Sequence, residues 1–230
     1  MKNIFYALIL ITLIAAAACE TTKKQVKKTE NTGEQVVEER QPVDFKSDDK
    51  KSEDTAVKSG SSRGVLKAGN YKYEGDIKDG KPHGKGKLSI YDNNGNLVST
   101  VEGEFENGKT KGEVKVTNYD RSGKVTSRFT GTMKDGSYDK YDKGTLVTFD
   151  SKGNMVSSYT GGFKDNKPEG AGELTKYGSN GKIESRYTGN FRNGMPDGAG
   201  VLYEYDENGK LVKKTEGNFA KRCVNYFNRS

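Results

Sequence analysis

The phrase YEGDIKDG at residues 73–80 returns five times, as VEGEFENG (101–108), FTGTMKDG (129–136), YTGGFKDN (159–166), YTGNFRNG (187–194) and TEGNFAKR (215–222). Its glycines, Gly75, Gly103, Gly131, Gly161, Gly189 and Gly217, stand 28, 28, 30, 28 and 28 residues apart. A period held this tightly defines a repeat array before any fold is assumed. The two additional residues of the long interval fall in SYDKYDK, between Gly136 and Gly144, and read either as drift or as a functional loop around Tyr138.

Each period holds a second phrase, NNGN, RSGK, SKGN, SNGK or ENGK, with glycines at Gly95, Gly123, Gly153, Gly181 and Gly209. Three of the five contain Asn-Gly, which favours positive φ at both central positions of a two-residue type I′ hairpin turn. Counting outward from such a turn at Asn94 and Gly95 pairs Tyr91 with Val98, Leu88 with Val101, Lys87 with Glu102 and Gly86 with Gly103. Along the array the same register sets Val116 opposite Phe129, Leu146 opposite Tyr159 and Leu174 opposite Tyr187. It also brings Gly144 to Gly161, Gly172 to Gly189 and Gly200 to Gly217, leaving a shallow trough. Period-two alternation places Leu97, Val101, Gly103 and Phe105 on one face and Glu102, Glu104 and Glu106 on the other. The predicted fold is all-β, an elongated single-sheet solenoid of antiparallel β-hairpins. About 11 strands at about 4.8 Å each make it roughly 50 Å long.

Composition agrees with a thin fold. Hydrophobic residues make up 31% and charged residues 31%, and with 29 Gly and no Trp there is little material for a thick two-layer core. His83, in the KPHG loop, is the only histidine, which excludes histidine-based triads and His-rich metal sites. The alternating Glu102, Glu104 and Glu106 read as a solvated row, since no spacing selects a pair for glycosidase-like chemistry. The glycines of KDGKPHGKG lack the following helix and the GK[ST] context of a phosphate loop. No enzyme activity, cofactor or metal is expected.

YEGDIKDGKPHGKGKL (73–88) and YTGNFRNGMPDGAGVL (187–202) closely resemble the MORN repeat, with its aromatic, Gly, aromatic or apolar position, N/D-G turn, short loop and G-x-G. The resemblance covers residues 71 to about 219. It implies hairpins stacked into one long sheet, and a role in scaffolding, protein contacts or membrane association. The period here is longer than usual, and the second and third copies lose parts of the G-x-G.

Residues 1–18 have the layout of a secretory signal, with Lys2, an apolar run from Ile4 to Ile14 and four alanines ending at Ala18. The run is too short for comfortable spanning, which takes about 20 residues. Cys19 directly after small residues resembles the bacterial lipobox, although Ala16 departs from the usual Leu; an ordinary secretory signal with an incidental cysteine is the alternative. The resemblance implies cleavage before Cys19 and its lipidation, hence an exported chain anchored to a bacterial membrane, without deciding inner from outer. Residues 19–64 read as a charged, disordered tether, and residues 65–230 as the repeat domain with a short C-terminal cap. With Cys19 acylated, Cys223 has no disulfide partner in the chain and is expected as a small buried residue of that cap, with intermolecular pairing as the alternative.

From residue 65 onward there are 28 Lys/Arg and 22 Asp/Glu, an excess of six positive charges. Phe105, Phe163, Phe191 and Phe219 recur at one position, and Tyr91, Tyr119, Phe149, Tyr177 and Tyr205 at another. Most should cover sheet glycines or support neighbouring strands. Those left exposed would form an aromatic strip beside basic residues, suited to a peptide, a glycan or a partner sheet. Tyr159, Phe163, Tyr187 and Phe191 are the candidate binding residues. The expected function is a membrane-anchored cell-envelope scaffold that binds protein, with anionic lipid or cell-wall polysaccharide as the alternative partner. Nucleic acid is not expected, and the residues indicate no oligomeric state.

Overall fold

A computed structural model of the chain describes residues 62–219. Residues 1–18, Cys19, most of the expected tether and Cys223 lie outside the described residues. The order is β1 (Ser62–Ala68), β2 (Tyr71–Lys78), β3 (Lys81–Tyr91), β4 (Leu97–Glu106), β5 (Lys109–Tyr119), β6 (Val125–Met133), β7 (Tyr141–Phe149), β8 (Met155–Lys164), β9 (Lys167–Tyr177), β10 (Ile183–Arg192), β11 (Met195–Tyr205) and β12 (Leu211–Phe219). Each strand pairs with the next in one antiparallel sheet, so the predicted all-β array of hairpins is the observed fold. One more strand is present than the repeats announce. β1 begins three residues before the expected domain start at residue 65, because SRGVLKA supplies a glycine and a leucine in register with Gly75 and Tyr73.

Two rows of side chains run unbroken across all twelve strands. The first is Gly64, Gly75, Gly86, Gly103, Val114, Gly131, Gly144, Gly161, Gly172, Gly189, Gly200 and Gly217. Two residues away along each strand lies the second: Leu66, Tyr73, Leu88, Val101, Val116, Phe129, Leu146, Tyr159, Leu174, Tyr187, Leu202 and Thr215. The trough over the glycines is therefore filled. A Cβ on Gly86 would collide with the Tyr73 ring, and one on Gly172 would come within 2.5 Å of the Tyr159 hydroxyl. The ring lies along the trough, and its hydroxyl donates to backbone beyond it. Tyr73 reaches the carbonyls of Asp76 (2.9 Å) and His83 (3.1 Å), Tyr159 that of Gly162 (3.0 Å) and Tyr187 that of Asn190 (3.1 Å). Glycine is needed in this row for close approach, since nearly all of its members have ordinary extended φ.

The two turn classes occupy opposite ends from those expected. At the Asn-Gly phrases only the glycine has positive φ, and Gly95 N–H bonds to the Asp92 carbonyl (3.0 Å) while Asp92 N–H bonds to the Asn96 carbonyl (2.9 Å). This is a three-residue loop, a type I turn followed by a left-handed glycine and a bulge. Asp92 supports it, because its Oδ1 accepts from Asn94 N–H and Asn96 N–H. The bulge pairs Tyr91 with Leu97 instead of Val98, moving Leu97 off the face of Val101, while the pairs of Leu88, Lys87 and Gly86 stand as predicted. Type I′ turns lie at the other ends. Asp79 and Gly80, Asn107 and Gly108, Asp165 and Asn166, and Asn193 and Gly194 all have positive φ at both positions.

Candidate binding surface

The expected binding residues are core. Tyr159, Phe163, Tyr187 and Phe191 are 2%, 9%, 3% and 3% exposed, which corrects their assignment to an open surface. The cause is the ladder they build. Tyr159 meets Phe163 and Phe191 edge to face at 5.1 and 4.9 Å, and Tyr187 meets Phe191 and Phe219 at 5.1 and 4.9 Å. Each such pair adds about 0.5–1.5 kcal/mol beyond its buried area. A single layer hides these rings because Tyr159 and Tyr187 lie over glycine pairs and Phe163 and Phe191 pack edge to face against them.

The insertion in SYDKYDK completes the same core. Tyr138 packs tilted against Phe105 (6.3 Å) and Tyr71 (6.4 Å), and its hydroxyl donates to the Gly108 carbonyl. Tyr141 stacks on Phe129 at 4.2 Å, its hydroxyl accepting from Asn118 Nδ2 (2.9 Å). Burial pushes both phenols above their ordinary pKa. Of the two readings of this loop, the packing supports a structural one: it brings rings to the stretch where Val101 and Met133 interrupt the aromatic series.

The exposed charged and hydroxyl side chains lie on the opposite face, where Ser89, Thr100, Thr117 and Thr175 are nonetheless buried. Its central row begins with alternating charges, Glu74, Lys87, Glu102 and Lys115, with Lys87 and Glu102 paired at 3.2 Å. Exposed pairs of this kind contribute about 0–1 kcal/mol. The row continues as Thr130, Thr145 and Thr160, the last two hydroxyls 2.9 Å apart, then Glu173 and Thr188. Beside it runs Arg128, Val147, Ser158, Thr175 and Arg186, consecutive Cα partners from β6 to β10. Three small side chains thus lie between two guanidinium groups. Neither arginine has a carboxylate partner among the described residues; Arg128 lies 5.0 Å above the Phe149 ring.

At the three-residue loops, each hairpin places an aromatic opposite an aliphatic: Tyr91 and Leu97, Tyr119 and Val125, Phe149 and Met155, Tyr177 and Ile183, Tyr205 and Leu211. The aromatics are half-buried, while Met155 and Leu211 are 39% and 46% exposed. Around Phe149 the surface dips between Lys124, Arg128 and Lys152, with Lys124 Nζ donating to the Ser151 carbonyl (3.1 Å). The aromatic half of this ridge was visible in the repeat. Its aliphatic half was hidden by the bulge, which a straight count outward from the glycine passes over. Among the described residues no group of three His, Cys, Asp or Glu could hold a metal ion, and His83 stands alone in its loop.

The MORN repeat model matches residues 73–95, 159–178 and 187–203. Each of these three segments is a MORN repeat, starting at a tyrosine that covers a glycine pair. The copies left unmatched begin at Val101, which has no ring, at Phe129, whose hairpin carries the insertion, and at Thr215, which opens the last, incomplete copy. No curated protein matches the chain.

Proposed function

We propose that this chain of MORN repeats is a membrane-anchored scaffold of the bacterial cell envelope, which holds a macromolecular partner on the uncovered face of its sheet and performs no chemistry. One observation carries the reading: the two faces divide the work. The aromatic rows of one face are consumed by the core, whereas the other repeats a ridge of half-exposed aromatic and aliphatic pairs beside cations. A protein is the first class of partner. A second reading, an anionic polymer, is favoured by Arg128 and Arg186, which have no carboxylate partner among the described residues. Anchoring rests on the sequence pattern ending at Cys19.

Both parts are testable in cells. Cys19→Ser is expected to move the full chain from the membrane fraction to the soluble fraction; unchanged sedimentation with membranes rejects the anchor. Crosslinking of the native chain followed by mass spectrometry is expected to place reproducible adducts on Lys124, Lys152 and Lys182, next to the ridge. Adducts distributed evenly over both faces and both ends of the hairpins would remove this face from consideration.

A further inference from the structure

We infer that the uncovered face is a track for a β-1,4-linked glycan carrying carboxylates, laid across the strands with one disaccharide on each 28-residue repeat. This deepens the anionic-polymer reading and rests on it. Tyr119, Phe149, Tyr177 and Tyr205 recur every second strand, an interval of about 9.6 Å at the spacing of paired strands. That is close to, and slightly under, the length of one disaccharide in an extended β-1,4 chain. Alternate sugars in such a chain turn opposite faces to the surface. One aromatic per disaccharide therefore meets the same sugar face each time.

The groove beside the ridge has matching chemistry. Val147, Ser158 and Thr175 form a floor of small side chains, and Thr145, Thr160 and Thr188 line it with hydroxyls suited to sugar hydroxyl groups. Arg128 and Arg186 close its two ends, four strand spacings apart, or about 19 Å. A polymer with a carboxylate on every second sugar presents these groups at twice the frequency of the arginines, so every second carboxylate meets a guanidinium fork. Lys124 and Lys152 add charge near Phe149. Glu173, in the hydroxyl row, accepts from Thr188 Oγ1 (3.2 Å). The insertion of the third repeat lies at the opposite end of its hairpin, so the ridge stays in phase through it.

The full chain, extracted from membranes in detergent, would be titrated with three probes. These are peptide-free strands of alternating N-acetylglucosamine and N-acetylmuramic acid, the neutral hexaose of N-acetylglucosamine, and the α-linked polyanion polygalacturonate. The strands are expected to bind tightest and the hexaose at least about tenfold more weakly, in keeping with loss of charge-assisted hydrogen bonds. Polygalacturonate should bind no better than the hexaose. The paired substitution Arg128→Ala and Arg186→Ala should bring the strands down to the affinity of the hexaose and leave the hexaose unchanged; Tyr177→Ala should weaken both, with circular dichroism verifying the sheet. Failure of the strands to bind, equal binding by the double variant, or binding of polygalacturonate as tight as that of the strands overturns the inference. A crosslinked protein partner on this face without glycan binding overturns it while leaving the scaffold in place.

Discussion

Val114 stands where the other full repeats carry Gly86, Gly144, Gly172 and Gly200, and its Cγ1 lies 2.7 Å from the position a Cβ on Gly103 would take. In those repeats the space belongs to the ring of Tyr73, Phe129, Tyr159 or Tyr187; the second repeat starts with Val101, so a second small side chain replaces the missing ring. Val114→Gly should open a cavity and destabilise the sheet by about 2–3 kcal/mol, the sum of lost packing and glycine's backbone entropy. Val101→Tyr alone should overpack against Val114 and cost about 1–3 kcal/mol. Together the two changes recreate the tyrosine-over-glycine arrangement, and most of the stability should return. Urea unfolding measures all three; additive losses in the double variant would show that the two positions do not share one space.

The glycine row differs in tolerance from place to place. A Cβ on Gly144 would strike the Thr130 carbonyl and come within 2.7 Å of Gly131 Cα, both backbone atoms of a paired strand. Gly217, in the last strand, has nothing within 4 Å and no positive φ. Gly144→Ala should therefore lower the thermal midpoint strongly, while Gly217→Ala should be neutral or stabilising by up to about 1 kcal/mol through the unfolded chain. Equal effects would mean that the row is selected by turn geometry and not by close approach.

The contrast between these glycines marks what could be read in advance. Periodicity and pairing were legible because a 28-residue repeat with one residue type at each register position leaves little freedom: Leu88 with Val101 and Leu174 with Tyr187 follow from counting alone. Turn type was not, since Asn-Gly is compatible with two loop geometries, and the three-residue loop forms both with Asp92 two residues upstream and with Gly178 in its place. Burial of Tyr159 and Tyr187 was missed for a different reason. A single sheet has no second layer, and only the glycine pair beneath each ring shows that the ring lies flat. β1 escaped notice because it precedes the first complete phrase and shares with it only Gly64 and Leu66.

Tyr138 tests the reading of the insertion. Its ring fills the gap beside Phe105 and its hydroxyl holds the turn at Gly108. Tyr138→Phe should cost about 1–2 kcal/mol, the loss of one hydrogen bond that leaves a carbonyl short of a partner. Tyr138→Ala should cost about 3–5 kcal/mol, as other buried aromatic truncations do. Neither change should alter binding to the opposite face. An alanine variant of undiminished stability with impaired binding would make the loop functional after all.

The fourth repeat lacks a turn residue that its neighbours share. Asp92, Asp120 and Asp150 each accept two or more hydrogen bonds from their own loops, led by the side chain of Asn96, Ser122 and Asn154 respectively, and these bonds hold their carboxyls below the usual range. Gly178 occupies the equivalent place, and Asn180 Oδ1 bonds Lys182 N–H instead (2.9 Å). Gly178→Asp should raise the melting temperature by a few degrees, with Asn180 rotating away because a new Cβ would approach its Oδ1 at 3.2 Å. The gain should be present at pH 7 and shrink as the pH falls through the carboxylate range, since the turn bonds favour the ionised form. A gain that persists at pH 2 would come from the removal of glycine and not from the carboxylate.

Alkaline stability should be limited by the phenols that fill the trough. Burial pushes Tyr73 up to about 12, with Asp76 adding to the shift, and raises Tyr159 and Tyr187 as well. In the unfolded chain a tyrosine ionises near pH 10. Below that value both states keep the proton and the contribution of the buried phenol is complete. For Tyr73, between about pH 10 and 12 the unfolded state binds fewer protons than the folded one, so stability falls by up to about 1.4 kcal/mol per pH unit, and Tyr159 and Tyr187 act in the same direction. Urea midpoints measured from pH 8 to 12 should decline steeply above pH 10, and Tyr73→Phe should make the decline shallower although it lowers stability at pH 8 by removing the bonds to Asp76 and His83. Titration followed at the phenolate absorption band should show the trough tyrosines ionising together with unfolding. If they ionise freely near pH 10 in the intact sheet, the rings are not enclosed over their glycines.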